Sequence, residues 1–184
     1  MAAVDHEAKR VYASLCYVGC SGSGKLANLR FIDARANPEQ SRLSVDHWPE
    51  QGRIASHTSL VLENIHGYEV DLALHAIHTV PDEHPLMVEA DVIVVVVDST
   101  RERLEDNARA VASLRALLEK RPFVVQLNKR EAPEAVSVAE LTQHLGLDGA
   151  PIVEASARDG QGVMETLQLA AQLALSQPAR AEPR

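Results

Sequence analysis

Aromatic side chains are nearly missing from this chain: two Phe, three Tyr and one Trp among 184 residues, a share of 3%. A core of useful size must therefore come from Val, Leu, Ile and Ala, the bulk of the 46% hydrophobic residues. Cysteine is almost as scarce. Cys16 and Cys20 are the only two, which excludes a disulfide scaffold and suits a reducing compartment. No dense block of Lys and Arg occurs and the net charge is −8, so nucleic acid is not an expected partner. No apolar run approaches the length of a membrane span, and the opening "MAAVDHEAKR" has no apolar signal core. Neither Ala2 nor the closing "AEPR" carries a lipidation signal. These absences predict a cytoplasmic chain with no membrane anchor.

What is present alternates. "VYASLCYVG" (Val11–Gly19) reads as a strand, and Leu26, Leu29 and Ile32 then fall at helical spacing. Asn37 to Thr58 holds turn formers and scattered charge without a period, and reads as a long loop. "SLVLENIHGYEVDLALHAIHTV" reads as two strands with a turn near His66 and Gly67. "DVIVVVVDST" is a continuous β-branched run, the pattern of a strand covered on both faces. Leu104, Ala108, Val111, Leu114 and Leu118 form a helical stripe, predicting a helix over Arg101–Lys120. "PFVVQLN" and "PIVEAS" are further strands; Val138–Leu145 and Gly162–Ser176 are further helices. Such alternation predicts an α/β fold: a three-layer domain over residues 1–176 with a mostly parallel central sheet of about six strands. Residues 177–184 are expected to be a disordered tail. In a sheet of this kind, ligands bind beyond the carboxyl ends of the strands.

The strongest motif lies at such an end. "GCSGSGK" (Gly19–Lys25) has the spacing G-x-x-x-x-G-K between a strand and a helix. Small residues let backbone N–H groups turn inward around phosphates, and the next helix adds its positive end. Gly19, Cys20, Ser21, Gly22, Ser23 and Gly24 would form the cradle, and Lys25 would reach the phosphate oxygens. Leu26 then stands where such loops carry a serine or threonine for Mg²⁺. Leucine has no oxygen and Ala27 offers none, so a magnesium ion would be held weakly. The pair His75 and His78, three apart on a strand, points to opposite faces and cannot share a metal. Cys20 reads as a small residue filling a tight turn.

With "NKRE" (Asn128–Glu131) following the strand "FVVQL", the order of elements resembles the Ras-like small GTPases, whose motif there is N-K-x-D. Within them it looks like the bacterial gliding-motility branch, the MglA-type proteins, over about Val11 to Leu175. The segments that carry the likeness are "YVGCSGSGK", "HTVPDE", "DVIVVVVDST", "VVQLNKRE" and "IVEASARDGQGVMETL". The resemblance implies GTP or GDP as ligand. Asn128 would sit beside the guanine, and the stem of Lys129 would lie across it. Glu131 would take the place of the aspartate that accepts two hydrogen bonds from the base. Ser156 and Ala157 match the S-A-K element, with the Ala157 N–H available to the guanine oxygen.

The same resemblance marks departures in the switch segments. Asp82 replaces a glycine, adding a carboxylate where phosphate charge would lie; like charges about 4 Å apart repel by about 4 kcal/mol at an effective dielectric of 20. Glu83 replaces the glutamine that orients water, and as a carboxylate it has no proton to donate. The segment before Asp91 is short, and Pro85 is expected to discourage a helix there. Thr58, with Ser56 and Ser59 beside it, is the candidate for the threonine that completes magnesium coordination. Three functions remain open: a pseudo-GTPase holding guanine nucleotide with little or no hydrolysis, an active switch using Glu83, or a nucleotide-free scaffold. The first and third act through a protein partner, for which the resemblance suggests roadblock-type regulators or motility machinery.

Overall fold

The computed structural model describes residues 3–5, 7–48, 53–65, 67–78 and 84–177. His66, Thr79–Glu83 and all of the expected tail beyond Gln177 lie outside the described residues.

The chain runs β1 (Ala3–Asp5), β2 (Arg10–Val18), α1 (Lys25–Ala36), β3 (Ser44–Trp48), β4 (Arg53–Ile65) and β5 (Tyr68–Ile77). It continues through α2 (Pro85–Glu89), β6 (Val92–Asp98), a 3-10 turn at Arg101–Arg103 and α3 (Leu104–Leu118). The last elements are β7 (Phe123–Asn128), α4 (Val138–Leu145), β8 (Ile152–Glu154) and α5 (Val163–Ser176). The sheet order is β3-β4-β5-β2-β6-β7-β8, with β1 paired to the start of β2. The pairings β2–β5, β2–β6, β6–β7 and β7–β8 are parallel. Those of β1–β2, β3–β4 and β4–β5 are antiparallel.

Two cores follow from this layering. Leu29 and Ile32 of α1 and Val163, Leu167 and Ala170 of α5 pack with Leu15, Tyr17, Val94 and Val96 on one sheet face. Met87 of α2, Val111 and Leu114 of α3 and Leu141 of α4 pack with Val18, Val95 and Val97 on the other. Every residue of β6 is buried, as a strand sandwiched between helix layers requires. Burying each such aliphatic side chain is worth about 1.5–3 kcal/mol, so this strand anchors both layers.

The fold differs from expectation at three places. The sheet has eight strands among the described residues rather than about six. The additional strands include β3, which lies, with the start of β4, inside the stretch read as a loop. Ser44, Val45 and Asp46 are all exposed; a strand at the rim of a sheet needs no apolar alternation, so no period marks it. Thirdly, Pro85 begins α2 instead of preventing it. At the first helical position proline loses an N–H that would have had no partner, and its φ already suits the helix. His84 caps this turn by accepting from the Leu86 N–H at 3.2 Å.

His75 and His78 do face opposite ways. His75 Nδ1 lies 2.8 Å from His57 Nδ1, while His78 Nε2 lies 2.8 Å from the hydroxyl of the adjacent Ser56. Among the described residues no group of three or more His, Cys, Asp or Glu is arranged to hold a metal ion. No described helix is long and apolar enough to cross a membrane.

Candidate nucleotide-binding site

The loop between β2 and α1 owes its shape to two glycines. Gly19 has φ 141, and a side chain there would be driven into the carbonyl oxygen of Val96 in the neighbouring strand. Gly24 has φ 104, and a side chain there would collide with the amide of Asn128. Between them, Ser21 and Gly22 form the exposed outer turn and Ser23 is fully buried. The Ser23 N–H donates to the Cys20 carbonyl at 3.3 Å, drawing the loop closed. Helix α1 starts directly after Gly24, with no side-chain cap and no acidic residue in its first turn. The opening N–H groups of a helix have no partner within it, and here a glycine-rich loop leads directly into them. That combination fits a phosphate anion.

Lys25 is 3% exposed, and its ammonium donates to the carbonyls of Gly19 at 2.9 Å and Cys20 at 2.7 Å. Burial pushes it down to about 8. A phosphate beside it favours the charged form, so the bound protein keeps this proton to higher pH. Below about pH 8 the ammonium is charged with or without ligand, and affinity is flat. Above that, binding has to take up a proton, and affinity falls by up to tenfold per pH unit. From pH 7 to pH 8.5 the dissociation constant should rise about fourfold in a fluorescence titration. Lys25→Arg, whose charge does not titrate in this range, should flatten that profile.

Asn128, at the carboxyl end of β7, joins the separate motifs. Its Nδ2 donates to the Ser23 carbonyl at 2.7 Å, and its Oδ1 accepts the Ala157 N–H at 2.8 Å. In this arrangement the Ala157 N–H is therefore held by Asn128, not left open as the resemblance implied. The Ser156 hydroxyl donates to Asp159 at 2.8 Å, fixing the turn that presents Ala157. Lys129 has φ 63, a left-handed conformation that costs a non-glycine residue on the order of 1–3 kcal/mol. Its ammonium is held by Asp98 at 2.5 Å. Glu131 lies exposed in the turn that follows.

Behind the site, several buried polar side chains pair with one another, while the buried hydroxyls of Ser23 and Ser99 have no hydrogen-bond partner among the described residues. Asn28 of α1 and Gln126 of β7 exchange two amide hydrogen bonds, at 2.8 and 2.9 Å, and Gln126 also donates to Thr166 at 3.0 Å. Asp98 is fully buried; its Oδ1 accepts the N–H and hydroxyl of Thr100 at 3.0 and 2.8 Å. Asn107 bonds the Asp98 backbone and accepts from the Cys20 thiol at 3.2 Å. Burial raises the Cys20 thiol above its ordinary value, so it stays a thiol filling a tight turn and lacks a reactive thiolate.

Among the described residues, those that the resemblance assigns to a magnesium ion do not fit it. Leu26 and Ala27 are half-buried hydrocarbon in the first turn of α1. Thr58 lies within β4, and its hydroxyl donates to Asp33 at 2.7 Å. It is a strand residue bound to the end of α1, and it does not stand at the phosphate loop. Ser56 is tied to His78 and Ser59 is exposed, so neither serves in its place. Asp82 and Glu83 lie outside the described residues.

The structure thus brings the predicted loop together with Asn128, Lys129, Ser156 and Ala157. Sequence reasoning missed Asp98, Asn107, Asp159 and the Asn28–Gln126 pair. Asp98 had a signal, since it ends the most apolar strand on the ligand-bearing edge of the sheet. The amides of Asn28, Asn107 and Gln126 had none, because only their partners in space explain them.

Comparison with known proteins agrees with this geometry. A model of the ADP-ribosylation factor family matches residues 85–173, a stretch that contains the base-side motifs and begins after the phosphate loop. The mutual gliding-motility protein MglA of Myxococcus xanthus (strain DK1622) is 28% identical over 193 residues, spanning 96% of this chain and 97% of that protein. The layered sheet, the glycine loop and the Asn-Lys motif stand in the order that the Ras-like small GTPases show, and the chain is similar to MglA along nearly its whole length.

Proposed function

We propose that this protein holds a guanine nucleotide with little or no hydrolysis and works in the cytoplasm as a protein-interaction module, a pseudo-GTPase. The observation that carries this reading is the double role of Asn128. One amide grips both the phosphate loop and the Ser156-Ala157 turn, so the two halves of a nucleotide site are built as one unit. Gly19, Gly22, Gly24 and Lys25 hold the phosphates; Asn128, Lys129, Glu131 and Ala157 hold the base. Lys129 supports this role because Asp98 fixes its ammonium while its stem remains partly open. Leu26 argues for weak magnesium dependence. Slow or absent turnover follows from Glu83, which as a carboxylate lacks the N–H that the family's glutamine can donate at this position. The name of the gliding-motility relative supports a motility or polarity partner, with a roadblock-type regulator as the first candidate to test. Residues 1–176 act together as a single domain.

The test is to denature the purified protein and chromatograph the supernatant. GDP or GTP released near one per chain, with no phosphate production on incubation, supports the proposal. Magnesium-dependent turnover that disappears in Glu83→Ala would instead make it an active switch. A nucleotide-free supernatant together with no binding at millimolar GTP would leave a scaffold.

A further inference from the structure

Leu26 leaves an electrostatic question. A nucleotide di- or triphosphate carries several negative charges, and in this family a magnesium ion takes up part of them. Lys25 supplies one positive charge from inside the loop. Of the other cations around the site, Lys129 is committed to Asp98. Arg101 is committed to Glu140, with contacts at 3.0 and 3.4 Å. Arg103 is placed differently. It ends the 3-10 turn that follows β6, and its Nη2 lies 3.7 Å from where a side chain on Gly22 would begin. The guanidinium therefore rests against the outer turn of the phosphate loop.

Its charge is not cancelled there. Arg103 Nη1 donates to Asp106 at 2.7 Å, but Asp106 also receives Arg109. Two guanidinium groups share one carboxylate, leaving a net positive charge beside Gly22. Within the loop the Cys20 thiol feels both partners, Arg103 working against the rise that burial imposes and Asp106 adding to it. The Arg103 side chain is 38% exposed, so it has room to turn toward a ligand. Guanidinium is a planar fork suited to phosphate oxygens.

We infer that Arg103 supplies to the bound phosphates part of the positive charge that magnesium provides elsewhere in the family, making nucleotide binding by this chain independent of the metal. The inference rests on the nucleotide-binding reading above, and the experiment separates the two. Fluorescent GDP is titrated into nucleotide-free wild-type protein, Arg103→Gln, Arg103→Lys and the double variant Leu26→Ser/Arg103→Gln. Each titration is run in excess EDTA and in excess magnesium, with a melting curve for every protein. Wild type should bind within about threefold equally in both conditions. Arg103→Gln should lose about tenfold or more in EDTA, the effect of one charge-assisted contact of about 1.5–3 kcal/mol, and Arg103→Lys should recover part of it. In the double variant, magnesium but not EDTA should restore binding, because a hydroxyl is again available to the ion.

A merely structural Arg103 would shift the melting temperature and leave the double variant equally weak in EDTA and in magnesium; that outcome overturns the inference. So does an Arg103→Gln protein that binds like wild type in EDTA, although nucleotide binding itself then stands. If wild type binds no guanine nucleotide, both fall together. Should Arg103→Gln fail to fold, Arg103→Lys, which keeps a cation for Asp106, carries the same EDTA comparison.

Discussion

Gly19→Ala is expected to abolish nucleotide binding and to lower the melting temperature by roughly 10 °C. A methyl group at this position meets the Val96 carbonyl oxygen, and that acceptor belongs to a fully buried strand that cannot step aside. Overpacking of this kind costs about 1–3 kcal/mol. The φ of 141 at Gly19 adds on the order of 1–3 kcal/mol for any residue with a Cβ. For a chain of this size each kcal/mol corresponds to about 2–4 °C. Gly67→Ala is the matched control. Gly67 also has positive φ, 83, but nothing stands within 4 Å of its absent side chain. It should lose only about 1–2 kcal/mol from backbone strain, and nucleotide binding should be untouched. Equal losses in the two variants would mean that backbone conformation alone, and not the contact with β6, shapes the loop.

The second large effect is expected at Asn128. Removing its amide in Asn128→Ala strands the Ser23 carbonyl and the Ala157 N–H, both in buried segments. Each unpaired group costs about 1–3 kcal/mol, so affinity for GDP should fall at least about thirtyfold. Asn128→Asp is the sharper variant. It keeps an acceptor for the Ala157 N–H but turns a carboxylate oxygen toward the Ser23 carbonyl, replacing attraction with repulsion. Calorimetric titration should find it no better than Asn128→Ala. An aspartate variant that binds like wild type would show that the link to Ser23 is dispensable.

The parts of this fold that were legible in the sequence are those whose pattern depends on one layer only. The run of β6, the stripe of α3 and the bounds of α4 follow from burial on a fixed period, and they stand where periodicity puts them. The G-x-x-x-x-G-K spacing was legible because left-handed glycines and close approach leave few other residues possible. β3 was not, since its register comes from pairing with β4 and the exposed Ser44, Val45 and Asp46 follow no apolar alternation. Thr58 misled for a related reason: its hydroxyl serves Asp33 across 25 positions of sequence, a partner no local pattern announces. Pro85 misled because the same ring that breaks a helix interior suits a helix start. Of the site, the loop and the base motif were readable as separate signals. That one asparagine fastens them together, and that Asp98 restrains Lys129, are facts of tertiary contact.

The account turns on whether this fastened loop retains a guanine nucleotide when its metal ligand is hydrocarbon. Equilibrium titration of nucleotide-free protein with GTP, GDP and ATP, each in excess EDTA and again in excess magnesium, tests this most directly. Guanine nucleotides binding with the same affinity in both conditions, and more tightly than ATP, is the predicted result. An absolute requirement for magnesium, or no guanine nucleotide bound even at millimolar concentration, would contradict it.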